Sequence, residues 1–171
     1  ETVLNVHQVD LQAVTQLFSL FSATAEISLL AESDVTGLAD SLQLSWGDEQ
    51  AKAGRLTIRN FGFKPKPTVD AAYLGVDNVQ LEAYWLDNRI WFSAKGADGQ
   101  LLTADTFSET IGYDRLEVNG LIDWSQSHLQ FTLPKVSLLN DEVKLKLAAQ
   151  YNNEAENGHL DLYGEVVGPT K

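Results

Sequence analysis

From about residue 40 to the C-terminus the apolar residues recur with a period of two. Leu42, Leu44 and Trp46 alternate with serine and glutamine; Leu56 and Ile58 alternate with Arg55, Thr57 and Arg59. The same beat runs through Val79–Trp85, Ile90–Ala94, Leu116–Trp124, Leu129–Leu133, Val143–Ala149 and Leu160–Leu162. A period of two puts one apolar and one wet face on each segment, as in half-buried antiparallel strands. Turn-forming residues fall between the runs: Asp87-Asn88, Ala97-Asp98-Gly99, Asn140-Asp141 and Glu156-Asn157-Gly158 all suit hairpin connections. Lys64-Pro65-Lys66-Pro67 cannot continue a central strand and reads as a long loop.

The first forty residues read differently. Leu11, Val14, Phe18 and Phe21 recur at helical spacing, with Asp10 placed to cap, so one short amphipathic helix is expected over residues 9–21. A second helical turn is expected around residues 25–33.

Composition narrows the class of function. Acidic residues outnumber basic ones 24 to 12, for a net charge of −12. Such a surface repels phosphate backbones and anionic headgroups, so nucleic acid is not an expected partner. Cysteine is absent, which removes disulfides and thiolate chemistry. No run of eighteen apolar residues is present to span a bilayer as a helix. Methionine is absent even at position 1, which reads as a segment excised from a longer protein or as a processed chain. Residues 1–171 are expected to form a single unit.

Catalytic signatures are missing. His7, His128 and His159 are scattered and read as surface or turn residues. Asp48-Glu49 and Asp141-Glu142 fall at expected turns, without the contrasting environments that a catalytic carboxylate pair requires. Phosphate-binding loops, nucleophile elbows and acidic calcium ladders do not occur. The expectation is a non-enzyme with no catalytic residues, no metal and no cofactor. Of the four tryptophans, Trp46, Trp85 and Trp124 are in phase with the apolar face, while Trp91 is out of phase with Ile90 and Phe92.

Several stretches carry a family resemblance. The helix followed by Gly37–Trp46, the strand Arg55–Phe63 with Asn60-Phe61-Gly62, the run Phe107–Trp124 with Tyr113–Trp124 inside it, the segment Gln130–Asp141 and Gly158–Leu162 resemble the AsmA-like YhdP family of the Gram-negative envelope. The match covers nearly the whole chain through strand patterns of moderate specificity. It departs near residues 68–82, where the family usually shows Pro-Gly and a further glycine; here Pro67 and Gly75 lie apart and Glu82 stands in the later position.

The resemblance implies a curled antiparallel sheet forming an open apolar groove, shaped like a taco. It implies a role as one segment of a bridge-like conduit that carries phospholipid between the inner and outer membranes. The full-length protein would be anchored in the inner membrane and extend through the periplasm. Partners would be phospholipid acyl chains and neighbouring segments of the same chain. On this reading Leu44, Trp46, Ile58, Leu81, Phe92, Val118, Ile122, Phe131, Leu145 and Leu162 share one concave face and contact lipid tails. The alternative is a β-sandwich module binding carbohydrate or a protein ligand, which would place Tyr84 and Trp91 on an exposed face among polar neighbours.

Overall fold

The computed structural model describes residues 2–13, 33–47, 52–64, 74–103, 110–125, 128–152 and 159–168. Nine strands account for nearly all of them: β1 (Thr2–Asp10), β2 (Asp34–Trp46), β3 (Ala53–Lys64), β4 (Leu74–Leu86), β5 (Arg89–Thr103), β6 (Ile111–Ser125), β7 (His128–Leu139), β8 (Lys144–Asn152) and β9 (His159–Val167). They form one sheet in chain order, each strand antiparallel to the next. The sheet is not closed into a barrel: β1 and β9 are its two edges.

Two of the expected turns connect strands as anticipated. Asp87-Asn88 closes a two-residue hairpin between Leu86 and Arg89, with Asp87 at φ 49°. Asn140 builds the β7–β8 turn, its side-chain oxygen accepting the N–H groups of Glu142 and Val143 at 3.0 and 2.7 Å. The 156–158 turn and the 65–67 loop lie outside the described residues.

Three expectations need correction. Strand begins at Thr2 rather than near residue 40, so β1 and the first half of β2 were not read from the pattern. Val9 and Asp10 end β1 instead of opening a helix. Asp10 does act as a cap: its Oδ1 accepts the N–H groups of Gln12 and Ala13 at 2.8 and 3.2 Å, which satisfies two donors that a first helical turn leaves free. That turn covers residues 11–13; the remainder of the expected helix, and the turn expected around 25–33 up to residue 32, lie outside the described residues. Lastly, Ala97-Asp98-Gly99 is no hairpin, because β5 runs through it.

The physical reason for the third correction recurs along the sheet. Asn60, Asn78 and Asp98 sit inside strands at φ 51°, 54° and 52°. Short polar side chains tolerate this left-handed backbone better than other non-glycine residues. Register shifts fall beside Asn60, between Ile58 and Phe61, and beside Asn78, between Val76 and Val79. In β7 the shift falls at Pro134-Lys135, which explains how a proline occupies a central strand. Each bulge inserts residues without a ladder partner, raises local twist and resets which face the following side chains occupy.

Side chains recover hydrogen bonds at the β4–β5 irregularity. Asp77 Oδ1 accepts the Gln100 N–H at 2.6 Å, Asn78 Nδ2 donates to the Ala97 carbonyl at 2.7 Å, and the Tyr113 hydroxyl donates to the Asp77 carbonyl. Two buried clusters lie along the same side. Leu11, Val35, Ala39 and Ile58 form one; Val79, Tyr113, Leu116 and Leu138 form the other.

A test of the bulge follows from its backbone. Asn60→Gly keeps the left-handed conformation and should leave urea-unfolding stability unchanged or slightly higher. Asn60→Val forces a β-branched residue into that region and should cost about 1–2 kcal/mol or more. Equal midpoints for the two variants would contradict the assignment.

Candidate functional site

Residues directly opposite each other in an antiparallel ladder share a face, so the register shows which side chains line up across the sheet. One row runs Leu4, Leu44, Gly54, Trp85, Ile90, Ile122, Phe131, Tyr151, Leu160 from β1 to β9. A second runs Val9, Ala39, Ile58, Leu81, Ala94, Val118, Val136, Leu147, Gly164. Between them lie Val6, Leu42, Leu56, Ala83, Phe92 and Gly120, continued beyond the β7 bulge by Leu133, Ala149 and Leu162. Further along lies Phe61, Val79, Gly96, Leu116, Leu138, Leu145, Val166. The two long rows and those between and beside them form one apolar surface.

Glycines in these rows make room for large neighbours. The Phe92 ring lies where a Cβ on Gly120 would stand, 2.3 Å from its nearest atoms, and stacks on Phe131 with centroids 6.2 Å apart and planes 20° apart.

Toward the middle of the sheet this surface encloses a hollow of about 440 Å³. Phe61, Val76, Val79 and Leu81 line it from β3 and β4, Phe92, Ala94 and Leu101 from β5, Leu116 and Val118 from β6, and Leu133, Val136, Leu138, Leu145 and Leu147 from β7 and β8. Every lining residue is apolar.

The register places all ten sequence-derived positions on the one face. Leu81, Phe92, Val118 and Leu145 line the hollow itself. Ile122 and Phe131 oppose each other in the outer long row, and Leu44 opposes Leu4 in that row. Trp46 pairs with Thr2 beside the open β1 edge. Leu162, 61% exposed, stands on the β9 edge. Ile58 differs from the rest: at 2% exposure it is packed in the cluster with Leu11, Val35 and Ala39. Of the ten other lining residues, Val79, Ala94, Leu116, Leu133 and Leu147 lie on the alternating runs themselves, whereas Phe61, Val76, Leu101, Val136 and Leu138 lie beyond a bulge that resets the alternation. The signal available was a polar residue tolerant of left-handed backbone, or a proline, interrupting an alternating run.

The other face carries charged pairs alongside apolar residues such as Leu86, Leu121 and Leu139. Arg59 pairs with Asp40 at 2.5 Å, Arg89 with Asp123 at 2.7 Å and Lys135 with Glu117 at 2.6 Å. The Lys135 hydrogen bond holds the Glu117 carboxyl below its usual range. Tyr84 and Trp91 oppose each other on this face and are 43% and 39% exposed. Arg55 opposes Tyr84 and lies over its ring, 4.9 Å from the centroid. The side chain of Trp124 lies outside those described.

Among the described residues, no three His, Cys, Asp or Glu side chains come together as metal ligands, and no helix is long and apolar enough to cross a membrane. Comparison with protein-family models, curated proteins and solved structures finds no match to this chain.

Tyr113 ties the site to the bulged backbone. It is 2% exposed, and burial, with the nearby Asp77 carboxylate second, pushes its hydroxyl up to about 12. In the unfolded chain the hydroxyl titrates near 10. Between those values the folded protein keeps the proton while the unfolded chain has lost it. Stability should therefore fall as pH rises from about 10 to about 12. Tyr113→Phe should remove that contribution to the alkaline slope, while costing about 1–3 kcal/mol at neutral pH for the undonated Asp77 carbonyl. Urea melts at several alkaline pH values check both, and an unchanged slope in the variant would refute the assignment.

Proposed function

We propose that the chain is a non-enzymatic segment of a lipid conduit whose apolar sheet face holds phospholipid acyl chains in an open groove. The observation that carries the reading is the unbroken apolar surface on one side of an open sheet, with a hollow lined by apolar side chains alone. A face of this kind must be covered, closed on itself or filled by an apolar ligand. The apolar rows also run out to exposed Leu160, Leu162 and Val166 on β9, so neighbouring segments of a longer chain could continue the surface. The resemblance to the YhdP family supplies the cellular setting of the proposal: a periplasmic region, anchored in the inner membrane, passing phospholipid toward the outer membrane.

Energetics support apolar cargo. Each methylene withdrawn from water contributes about 0.8 kcal/mol, so a tail of about fourteen carbons gains roughly 10 kcal/mol before ordering costs. Headgroups can stay in water at the groove mouth, so the site requires no polar pocket for them. A two-sheet sandwich, the competing architecture, is not what the nine described strands form.

Groove and closed core respond differently to charge. A carboxylate in a dry core lacks partners and destabilises strongly; in an open groove it reaches water. Val118→Asp or Ile122→Asp should leave the isolated segment folded, with a cooperative melting curve, yet block lipid transfer when placed in the full-length protein. Outright unfolding would mean closed core at these sites. A folded variant that still supports transport in a complementation assay would also count against the conduit. Mass spectrometry of lipid co-purified with the wild-type segment gives an independent check.

A further inference from the structure

One side chain bounds the hollow on the side of Ile122. On β4, β5 and β6 the row between the two long apolar rows reads Ala83, Phe92, Gly120. On β6, therefore, only Gly120 separates Val118, which lines the hollow, from Ile122, which does not. A glycine has no side chain to stand between them, and the Phe92 ring fills the gap. Its nearest atoms lie 2.3 Å from where a Cβ on Gly120 would stand, and a Leu133 methyl lies 2.9 Å from the same point. The β6–β7 register shift between Asn119 and Leu121 leaves Gly120 without a ladder partner on β7. A glycine inside a strand often marks such a close approach. Phe131 stacks on the ring with centroids 6.2 Å apart, and like Ile122 it is not among the residues that line the hollow.

We infer that Phe92 is the specificity-determining residue of the hollow: its ring closes the side toward Ile122 and limits the length of acyl chain that the hollow takes. This rests on the proposed role of the apolar face in holding acyl chains. A methylene that fits inside the hollow leaves water and tightens binding about fourfold. A methylene beyond the boundary stays in water and adds nothing. The ring is placed to act as that boundary. It is packed down on Gly120 and stacked on Phe131, so neighbours hold it from two sides. Its neighbours in the row are alanine and glycine, so no other side chain of that row on β4 to β6 is large enough to keep the boundary once the ring is trimmed. Trimming it joins the hollow to the row of Ile90, Ile122 and Phe131. With the ring in place, that row serves a separate tail.

The test is calorimetric titration of the chain with alkylphosphocholines of about ten to about sixteen carbons, each below its micelle concentration, which reads affinity against tail length. These probes carry no net charge, so the net charge of −12 does not bias the series. For the wild type, Kd should fall about fourfold per methylene and then level off before the longest probe. In Phe92→Ala the levelling should move at least about two carbons further, so that the longest probe binds about tenfold tighter than to the wild type and the shortest within about threefold. Phe92→Leu keeps an apolar side chain and should shift the levelling in the same direction. Probes that bind the wild type and a folded variant with the same length profile overturn the inference and leave the lipid reading standing. No binding of any probe overturns both. Should neither variant fold, the wild-type profile decides: levelling supports the boundary, and a rise unbroken through the longest probe overturns it.

Discussion

Everything in this sheet depends on keeping side-chain rows aligned across strands that do not alternate perfectly. A slip of one residue exchanges the two faces of a strand. Five inner strands, β2 to β5 and β7, contain irregularities, yet Ile58, Leu81, Ala94, Val118 and Val136 still stand in one row. The alignment survives because the insertions occur where adjacent strands can absorb them. Beyond Ile58, the extra residue at Asn60 brings Phe61 back to the apolar face opposite Val79; Asn78 then does the same for Val76 opposite Phe63. The bulges act as phase corrections that keep one surface apolar from edge to edge.

The two faces contribute unequally to stability. Apolar burial at about 25 cal/mol per Å² dominates, concentrated where Val79, Tyr113, Leu116 and Leu138 close over the bulged backbone. The ion pairs on the opposite face are half-exposed and contribute little individually. Each joins two adjacent strands. The apolar face is left with a hollow at its centre, while on the opposite face the Tyr84 ring packs under Arg55.

Most of the sheet could be read directly from its pattern. Where alternation was uninterrupted, as in Ile90–Ala94 or Val118–Ile122, strand and face were both evident, and all ten chosen positions fell on the same side. Failures came from three identifiable sources. In β1, Thr2, Val3 and Leu4 blur the period, and Gln8 at φ 54° breaks it before Val9; the helical spacing that starts at Leu11 then claimed Val9 and Asp10. In β5, Asp98-Gly99 has turn chemistry but serves as a bulge, since Asp77 and Asn78 of β4 supply the hydrogen bonds that hold it in the sheet. Such cross-strand compensation between residues about twenty positions apart is invisible to local pattern. Ile58, finally, was known to face the apolar side, but whether it met solvent or Leu11 depended on where the chain beyond β1 turned.

The open edges pose the remaining physical problem. Among the described residues, β1 and β9 each have one side without a strand partner, and neither carries the lysine or proline that often blunts an edge strand. On β9 the exposed Leu160, Leu162 and Val166 extend the apolar rows to the last strand, which favours continuation. Charge opposes the simplest form of it. Antiparallel self-pairing of β9 centred on Tyr163 would bring Asp161 opposite Glu165, twice by symmetry, and like charges directly opposed destabilise a strand pair. A net charge of −12 on each copy adds long-range repulsion. In that register the β9 edge therefore disfavours pairing with a second copy of itself.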